Sequence, residues 1–366
     1  VTAFLDNDLI RFEDLVFENL DAYLVSKEQL LVRRLLMERQ PVRYLKEQGL
    51  GHMERGVFCP DVPFTVCVIG FEDFGKEFLL STYENTAFET AASDRKGLRA
   101  LILDENLEKK KAGLFRDAPQ LKEETGIVWA DAPFESEAFF DTIEGWMGDL
   151  HQILIAAGDT AYNVELAMRL LRIFRKRGLG EHIPQIVVAL HEEAEGSILL
   201  LSQEKNVLFQ KVGQEPFTYE ELVLRRTDEE AEALHRRYQG SNFHVGNWNT
   251  LGTFTQNSNR AVVWDIPNKL ALAGDMSGLS NEEREAVLWQ LARYEHRRWN
   301  AFHYSRGWTK LPLEALSEEE REKCATKHKQ EKRHTCLVEW EELDDLPQSE
   351  PGILKRYDYE NVARLF

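Results

Sequence analysis

The stretch "VCVIGFEDFG", residues 66 to 75, has the residue types of a dinucleotide-binding turn, an apolar run followed by spaced glycines. In such a turn the first glycine permits the bend, the second admits the pyrophosphate and the third lets helix pack on strand. Gly70 and Gly75 fit the first and third roles, whereas Glu72 occupies the second. Glu72 and Asp73 would each repel a phosphate charge about 4 Å away by roughly 4 kcal/mol at an effective dielectric of about 20. We therefore expect a turn that keeps the fold of the site and excludes a pyrophosphate from the usual pose.

Further polar residues follow the other apolar runs of this region. Asp104 ends the second run, where an acidic residue commonly accepts hydrogen bonds from ribose hydroxyls. Asp131 ends the third run, and Gly158 and Asp159 follow the fourth. Asp159 also fits a simple helix cap, and both interpretations stay open. These residues predict a site for an adenine nucleotide or NAD-related ligand without a cradled pyrophosphate. The predicted set is Gly70, Phe71, Glu72, Gly75, Asp104, Asp131, Gly158 and Asp159.

A second group of candidates lies in the last third of the chain, within a weak internal repeat. "ALHRRY" at 233 to 238 is echoed by "YEHRRW" at 294 to 299, and a Trp-x-x-Leu element follows each copy, at 248 to 251 and 340 to 343. Flat rings, amides and guanidinium groups suit a base and a phosphate. The alternative for Trp299 and Trp340 is a role in the core of each repeat. The ligand candidates are His235, Asn257, Asn259, Arg260, His296, Arg298, Trp299, Trp308 and Trp340.

Three of these candidates, Asn257, Asn259 and Arg260, are predicted to lie in a loop that is too polar for a core, which makes them better ligand candidates. Cys324, His328, His334 and Cys336 form a conceivable zinc set, but they lack a Cys-x-x-Cys spacing. A charged exposed helix over "SEEEREKCATKHKQEKRH" explains the first two, and we predict no metal. His191 with Glu192 and Glu193 could act as an acid/base pair or as surface caps. No catalytic residue is predicted.

Short apolar runs alternate with amphipathic stretches from residue 64 to 212, which indicates a doubly wound Rossmann-like parallel sheet. The predicted strands are 64–69, 98–103, 127–130, 152–157, 185–190 and 207–209. A mainly α-helical tandem-repeat domain is predicted to follow, with cap signals at Ser280 and Ser317. An earlier strand, 22–25, precedes a helix capped by Ser26. The predicted domains are residues 1–60, the end of an upstream α/β unit, 61–225, the Rossmann-like domain, and 226–366, the repeat domain.

Charge and composition restrict the partners. A net charge of −18 over 366 residues disfavours nucleic acid polymers and anionic membrane surfaces. The four cysteines, Cys59, Cys67, Cys324 and Cys336, are too few for a stapled secreted scaffold, which favours a reducing cytoplasm. No apolar run reaches the length of a membrane helix. Because the chain opens with valine, we expect a longer parent protein, which could carry an upstream membrane segment.

Two regions resemble known families. "VCVIGFEDFGKEFLL", "ALILDENLEKKKAGLF", "GIVWADAPF" and "ILIAAGDTAYNVELAMRLLRIF" resemble the nucleotide-binding Rossmann domains of bacterial potassium-transport regulators of the Trk type. "LARYEHRRWNAFHYSRGW", "RHTCLVEWEEL" and "YDYENV" resemble the bacterial form of the ryanodine-receptor (RyR) repeat domain. Its pattern is met by Ala292, His296, Trp299, Gly307 and Trp308, while Cys336 and Glu339 replace two prolines. A degenerate first repeat would occupy about residues 229 to 274.

The resemblance implies a non-enzymatic regulatory sensor whose small-molecule ligand is a nucleotide or a nucleotide-derived signal. Its output would be an ion-transport or a stress or anti-phage effector, and sister Rossmann regulators imply a homo-oligomer. Two alternatives stay open. One is an NAD(P)-dependent oxidoreductase, supported only by the alternating sheet, and the other is the cytoplasmic gating module of a membrane ion-transport protein.

Overall fold

A six-stranded parallel sheet organises the first part of the chain. The computed structural model describes residues 2–4, 23–91, 96–191, 198–199, 201–212, 226–239 and 247–366. The strands are β1 Thr2–Phe4, β2 Tyr23–Val25, β3 Gly51–Glu54, β4 Val57–Pro60, β5 Phe64–Ile69, β6 Leu98–Asp104, β7 Ile127–Asp131, β8 Gln152–Ile155, β9 Gln185–Leu190, β10 Val207–Lys211, β11 Thr309–Lys310, β12 Lys327–His328 and β13 Arg333–His334. The sheet order is β10-β9-β8-β5-β6-β7, which is the doubly wound order with β5, the first strand of this sheet, in the middle.

Helices follow the strands of the sheet and then dominate the rest of the chain, so the predicted α/β class and the six predicted strands are confirmed. The helices are α1 Lys27–Glu38, α2 Pro41–Glu47, α3 Asp73–Asn85, α4 Leu107–Asp117, α5 Glu137–Trp146, α6 Thr160–Lys176, α7 Arg226–Gln239, α8 Thr253–Trp264, α9 Ile266–Ala273, α10 Asn281–Tyr304, α11 Glu318–Arg321 and α12 Ile353–Ala363.

The predicted helix caps are present. Ser26 accepts a hydrogen bond from the Gln29 amide at the start of α1. Ser280 and Ser317 form capping boxes with the glutamates three residues on, at the starts of α10 and α11. Each box satisfies backbone amides that a helix start leaves without intrahelical partners.

The sheet buries both faces because the side chains of each strand alternate. Val66 and Val68 point to one face, where they join a core that includes residues of α1, α3, α9, α10 and α12. Cys67 and Ile69 point to the other face and pack with α5 and α6. All six residues of β5 are buried, as expected for a central parallel strand covered by helices on both faces.

The segment before the sheet contains an antiparallel hairpin, β3 and β4, that the sequence analysis did not predict. Arg55 and Gly56 connect its strands, and both have positive φ, 48° and 84°. Two successive residues of this kind make the type I′ turn that suits the twist of a hairpin. β1 and β2 form a separate parallel pair.

The helical region packs against the sheet rather than apart from it, because one apolar core contains residues of β5, β6, α9 and α10. The predicted domain boundary at 225/226 falls at the edge of residues 213–225, which lie outside the described residues. Within the described part of the chain, no helix is both long enough and apolar enough to cross a membrane.

Candidate functional site

The glycine turn after β5 has the tight geometry that its sequence predicts. Gly70 has φ of +93°, and a Cβ there would lie 2.2 Å from the Ala156 carbonyl oxygen. A Cβ at Gly75 would lie 2.1 Å from the Gly70 carbonyl oxygen. Both positions therefore require glycine, the first for its backbone conformation and the second for the close packing of α3 on the turn.

Lys110 closes this turn with an ion-pair network. Its Nζ lies 2.7 Å from a Glu72 carboxylate oxygen and 2.7 and 2.8 Å from the two oxygens of Asp104. Asp104 is 2% exposed and also accepts a hydrogen bond from the Phe71 amide. Although partial burial lowers the pKa of Lys110, the hydrogen bonds that it donates to Asp104 and Glu72 raise this pKa overall. The carboxylate expected to bind a ribose therefore already has internal partners.

Lys110 supplies a positive charge beside Glu72 and was not among the residues predicted from the sequence. The sequence could have predicted this contact, because Lys110 lies in the first turn of α4, six residues after Asp104. A lysine there can reach back to the end of the preceding strand. The Glu72 charge is thus compensated within the protein, and a pyrophosphate would have to compete with Glu72 for the same ammonium group.

The other predicted residues of the sheet edge have local roles. Asp159 caps α6 by accepting from the Tyr162 amide at 2.8 Å, so the helix-cap interpretation is confirmed. Asp131 accepts from the Leu107 amide at 3.2 Å, at the start of α4. Gly158 donates its amide to Asn163 Oδ1 at 3.1 Å, and Asn163 Nδ2 donates to the Ala189 carbonyl at 3.0 Å. Asn163 therefore links the ends of β8 and β9, a role that the sequence analysis did not identify.

The predicted acid/base group could be located only in part. His191 follows β9, and its amide donates to Thr160 Oγ1 at 2.9 Å. Glu192 and Glu193 lie outside the described residues.

The two echoed segments have matching local geometry. His235 on α7 lies 6.0 Å from Trp248, ring centroid to ring centroid, with an interplanar angle of 58°. His296 on α10 lies 5.8 Å from Trp340, also at 58°. In each case the tryptophan lies at or just before a short 3-10 turn, Trp248–Thr250 in one and Glu341–Asp345 in the other. The histidine and tryptophan of each segment thus form an equivalent buried pair.

His296 is held by hydrogen bonds at both ring nitrogens. Nδ1 lies 3.1 Å from Asp358 Oδ2 on α12, and Nε2 lies 2.9 Å from the Val338 carbonyl oxygen. Both partners are acceptors of hydrogen bonds, so the protonated form of the ring satisfies both by donating from each nitrogen. Burial alone would lower the pKa of His296, but the Asp358 carboxylate and the Val338 carbonyl raise it overall. The His296–Asp358 pair joins α10 to α12.

The predicted loop for Asn257, Asn259 and Arg260 is wrong, since all three lie in α8. Arg260 is 4% exposed and forms a bidentate pair with Asp228 of α7, with nitrogen–oxygen distances of 2.6 and 2.7 Å. Asn257 Oδ1 accepts from Arg260 at 2.8 Å. The polar sequence of this segment is therefore explained by a buried partner 32 residues upstream.

Arg298 likewise belongs to a buried network. It donates two hydrogen bonds of 2.8 Å to Glu295, which also contacts Lys269 at 2.8 Å. Lys269 in turn contacts Asp265 at 2.8 Å, and the Tyr294 hydroxyl donates to Asp265 at 2.7 Å. The Lys269 contacts join α9 to α10, and Arg298 pairs with Glu295 within α10.

The predicted charged helix from Ser317 to His334 is also wrong beyond Arg321, where α11 ends. Ala325 and Lys332 have positive φ, 65° and 51°, which a helix does not accommodate. β12 and β13 form an antiparallel pair there, and His334 Nδ1 accepts from the Cys336 amide at 3.0 Å. Within the described residues, no three His, Cys, Asp or Glu side chains are grouped as a metal site.

A cavity of about 340 Å³ lies where α7 and α8 face α10 and α12, and we call it the interhelical cavity. Its wall includes four of the predicted ligand candidates from both echoed segments. They are His235, Asn259, His296 and Trp299. Its volume falls within the range of about 300 to 1,000 Å³ typical of small-molecule sites.

Further wall residues define the chemistry of the interhelical cavity. His334 and Tyr357 add rings, and Asp358 and Asn361 add oxygen and nitrogen groups. Burial, with the charge of Lys327, lowers the pKa of His334 to about 3, so its ring is neutral. Since His334 Nδ1 accepts a backbone hydrogen bond, its Nε2 carries the proton. The wall therefore offers flat rings, an amide and a neutral N–H donor.

The remaining candidates lie away from this wall. Trp308 is 2% exposed and stacks on Phe254 at 5.0 Å, whereas Trp340 packs in a small core with Leu343 and Leu346. The core interpretation of Trp340 fits this position. Trp299 differs because it is partly exposed to the cavity and stacks on His296, with ring planes 20° apart.

Comparisons of this chain with protein-family models, with curated proteins and with solved structures find no match.

Proposed function

We propose that this protein is a non-enzymatic regulatory sensor that binds a nucleotide or nucleotide-derived signal in the interhelical cavity. One observation carries the proposal. Candidates chosen from two separated stretches of sequence, His235 and Asn259 on one side and His296 and Trp299 on the other, line one cavity. Residues selected only for core packing would not need to share a cavity of ligand size.

The wall chemistry favours the base and sugar of such a ligand. Trp299 adds a partly exposed indole ring to the wall, and Asn259 and His334 add polar groups for base edges. The wall charges are compensated, since His296 pairs with Asp358 and Glu295 pairs with Arg298 and Lys269. A phosphate inside would displace one of these carboxylates, so the phosphate end of the ligand points outward in our proposal.

The matched histidine–tryptophan pairs support the tandem-repeat interpretation of the helical region. The ring centroids of His235 and Trp248 lie 6.0 Å apart and those of His296 and Trp340 lie 5.8 Å apart, and both pairs have an interplanar angle of 58°, as expected for duplicated units. We propose that these are two repeats of the ryanodine-receptor type and that the ligand binds between them. The Rossmann-like part then serves as the partner that the repeats act upon, because Lys110 already satisfies Asp104 and Glu72.

The wider setting of the sensor rests on the resemblance and the composition. We propose a cytoplasmic protein, or the cytoplasmic part of a membrane protein, that controls an ion-transport or a stress or anti-phage effector as a homo-oligomer. Its high negative charge argues for a small-molecule ligand over a nucleic acid polymer.

A thermal-shift screen tests the proposal. The panel contains NAD, ATP, ADP-ribose and cyclic oligonucleotides, and binding to the folded state raises the melting temperature. The Trp299→Ala variant removes the stacking face, whereas Trp289→Ala changes a partly exposed tryptophan of the same helix that lies outside the cavity wall. We expect at least one panel member to stabilise the wild type and Trp289→Ala but not Trp299→Ala. Stabilisation by none of them, or equally in both variants, would refute the proposal.

A further inference from the structure

A second cavity, of about 230 Å³, lies between the sheet and the helical region, and we call it the seam cavity. Its wall comes from the end of α3, from the first residues of β6 and β7, and from α10. Tyr83, Phe88 and Tyr304 supply aromatic rings to this wall. None of the predicted site residues belongs to it, and it shares no wall residue with the interhelical cavity.

The cations on this wall are paired with acidic residues of the same wall. Lys96 Nζ lies 2.7 Å from Glu124, which also accepts a 3.0 Å hydrogen bond from the Tyr83 hydroxyl. Arg297 pairs with Glu89. An anionic ligand would have to displace a carboxylate from one of these pairs.

A third acidic residue of the wall, Glu339, belongs to neither of these two ion pairs. The Glu339 side chain is exposed at the mouth, so the wall carries three carboxylates against two cations. Burial raises the pKa of the Tyr304 hydroxyl, and the charges of Glu339 and Glu124 raise it further. Arg293 beside the wall contacts both Glu89 and Glu341, which adds one cation and one carboxylate to this balance. The field at the seam cavity is therefore negative and favours a positively charged occupant.

A buried acceptor adds an independent sign of a ligand. Asn300 is 6% exposed and forms part of the seam-cavity wall. Its Nδ2 donates to the Val338 carbonyl at 2.8 Å, but its Oδ1 is buried and has no hydrogen-bond partner in the described part of the chain. Leaving a buried acceptor without a partner is unfavourable, and an N–H group of a ligand would remove that cost.

We infer that the seam cavity binds a small organic cation with N–H donors, namely a primary amine or a guanidine. The charged group lies against the rings of Tyr83, Phe88 or Tyr304 and near Glu339, and one N–H donates to Asn300 Oδ1. Aromatic faces attract such cations at close range. This inference is independent of the nucleotide proposed for the interhelical cavity.

Isothermal titration with agmatine, without any nucleotide, tests the inference. The matched probe is 4-guanidinobutanoate, which keeps the guanidinium and replaces the ammonium end by a carboxylate. We expect agmatine to bind at millimolar or lower concentration at low salt, and the matched probe to bind much more weakly. No binding of agmatine, or equal binding of both probes, would overturn the inference.

Variants of the wall locate the binding. Glu339→Lys reverses the exposed charge and is expected to weaken agmatine binding by about tenfold or more, since it replaces attraction with repulsion. Ala301→Leu fills the wall from α10 and is expected to abolish binding. Glu314→Gln, at an exposed position outside both cavities, is the control and should bind as the wild type does. If Glu339→Lys and Ala301→Leu both melt as folded proteins and bind agmatine normally, the site lies elsewhere.

Discussion

Replacing Lys269 by methionine should destabilise the protein strongly because it removes the central cation of the buried network. Lys269 is 1% exposed, and its Nζ lies 2.8 Å from both Asp265 and Glu295. Methionine has a similar length and no charge, so it keeps most of the packing while leaving both carboxylates with fewer partners. Breaking a buried pair by removing one partner costs about 3 to 5 kcal/mol.

The pKa of Glu295 gives a second estimate of how much the buried ion pairs stabilise the protein. Burial raises this pKa, but the charges of Arg298 and Lys269 overcome burial and lower it from 4.5 to about 2. A shift of this size corresponds to about 3 kcal/mol of stability at neutral pH. Because the folded-state pKa is depressed, that stability is present above the unfolded pKa and is lost as pH falls from about 4.5 through 2.

Urea unfolding at pH 7 and along a series down to pH 2 measures both effects. Asp265 keeps its hydrogen bond from Tyr294, so we expect Lys269→Met to lose about 3 kcal/mol at pH 7, the low end of the range. The variant should also lose less stability than the wild type as the pH is lowered through this window.

The matched control is Lys310→Met, which breaks a contact of the same 2.8 Å length to Glu342, with side chains 50% and 47% exposed. We expect a loss below about 1 kcal/mol there. Equal losses in Lys269→Met and Lys310→Met, or identical acid profiles of Lys269→Met and the wild type, would refute the reasoning.

Three further predictions concern the turn and His296. His296 contributes stability that is present in full below its unfolded pKa of about 6.5 and lost as pH rises through its raised folded pKa. The melting temperature of the wild type should therefore fall over this pH range, and that of Asp358→Asn should not. An equal fall in both proteins would contradict the prediction. Glu72→Gly should raise NAD affinity measured by calorimetry, because it removes the carboxylate with which a pyrophosphate competes for Lys110; no gain would show that this charge is not what limits binding. Gly75→Ala should cost about 1 to 3 kcal/mol by steric clash, whereas Gly113→Ala, where a Cβ meets open space, should cost nothing; similar unfolding midpoints would exclude the clash.

The sheet could be predicted because its signals are local. Each strand is a short apolar run, and the predicted range 64–69 agrees with β5 to the residue. Helix starts could be predicted equally well, because a serine followed by a glutamate three residues later provides local partners for backbone amides of the first turn. The spacing of Gly70 and Gly75 likewise predicted the tight turn after β5.

The helical region was harder because its polar residues have distant partners. Arg260 was predicted to lie in a loop because its segment is polar, but it is buried and pairs with Asp228 of another helix. The segment after Arg321 looked helical by composition, but its hairpin is held by Thr326 and Thr335, whose backbone and side chains exchange hydrogen bonds. Such contacts follow from tertiary packing, which local patterns do not encode.

The most direct measurement of the central claim is an experimental density map of the protein with ADP-ribose or another panel nucleotide that raises its melting temperature. Our account predicts ligand density in the interhelical cavity, with the base against Trp299 and the phosphate end pointing outward. Density at the Gly70 turn instead, with Lys110 released from Asp104, would contradict the account.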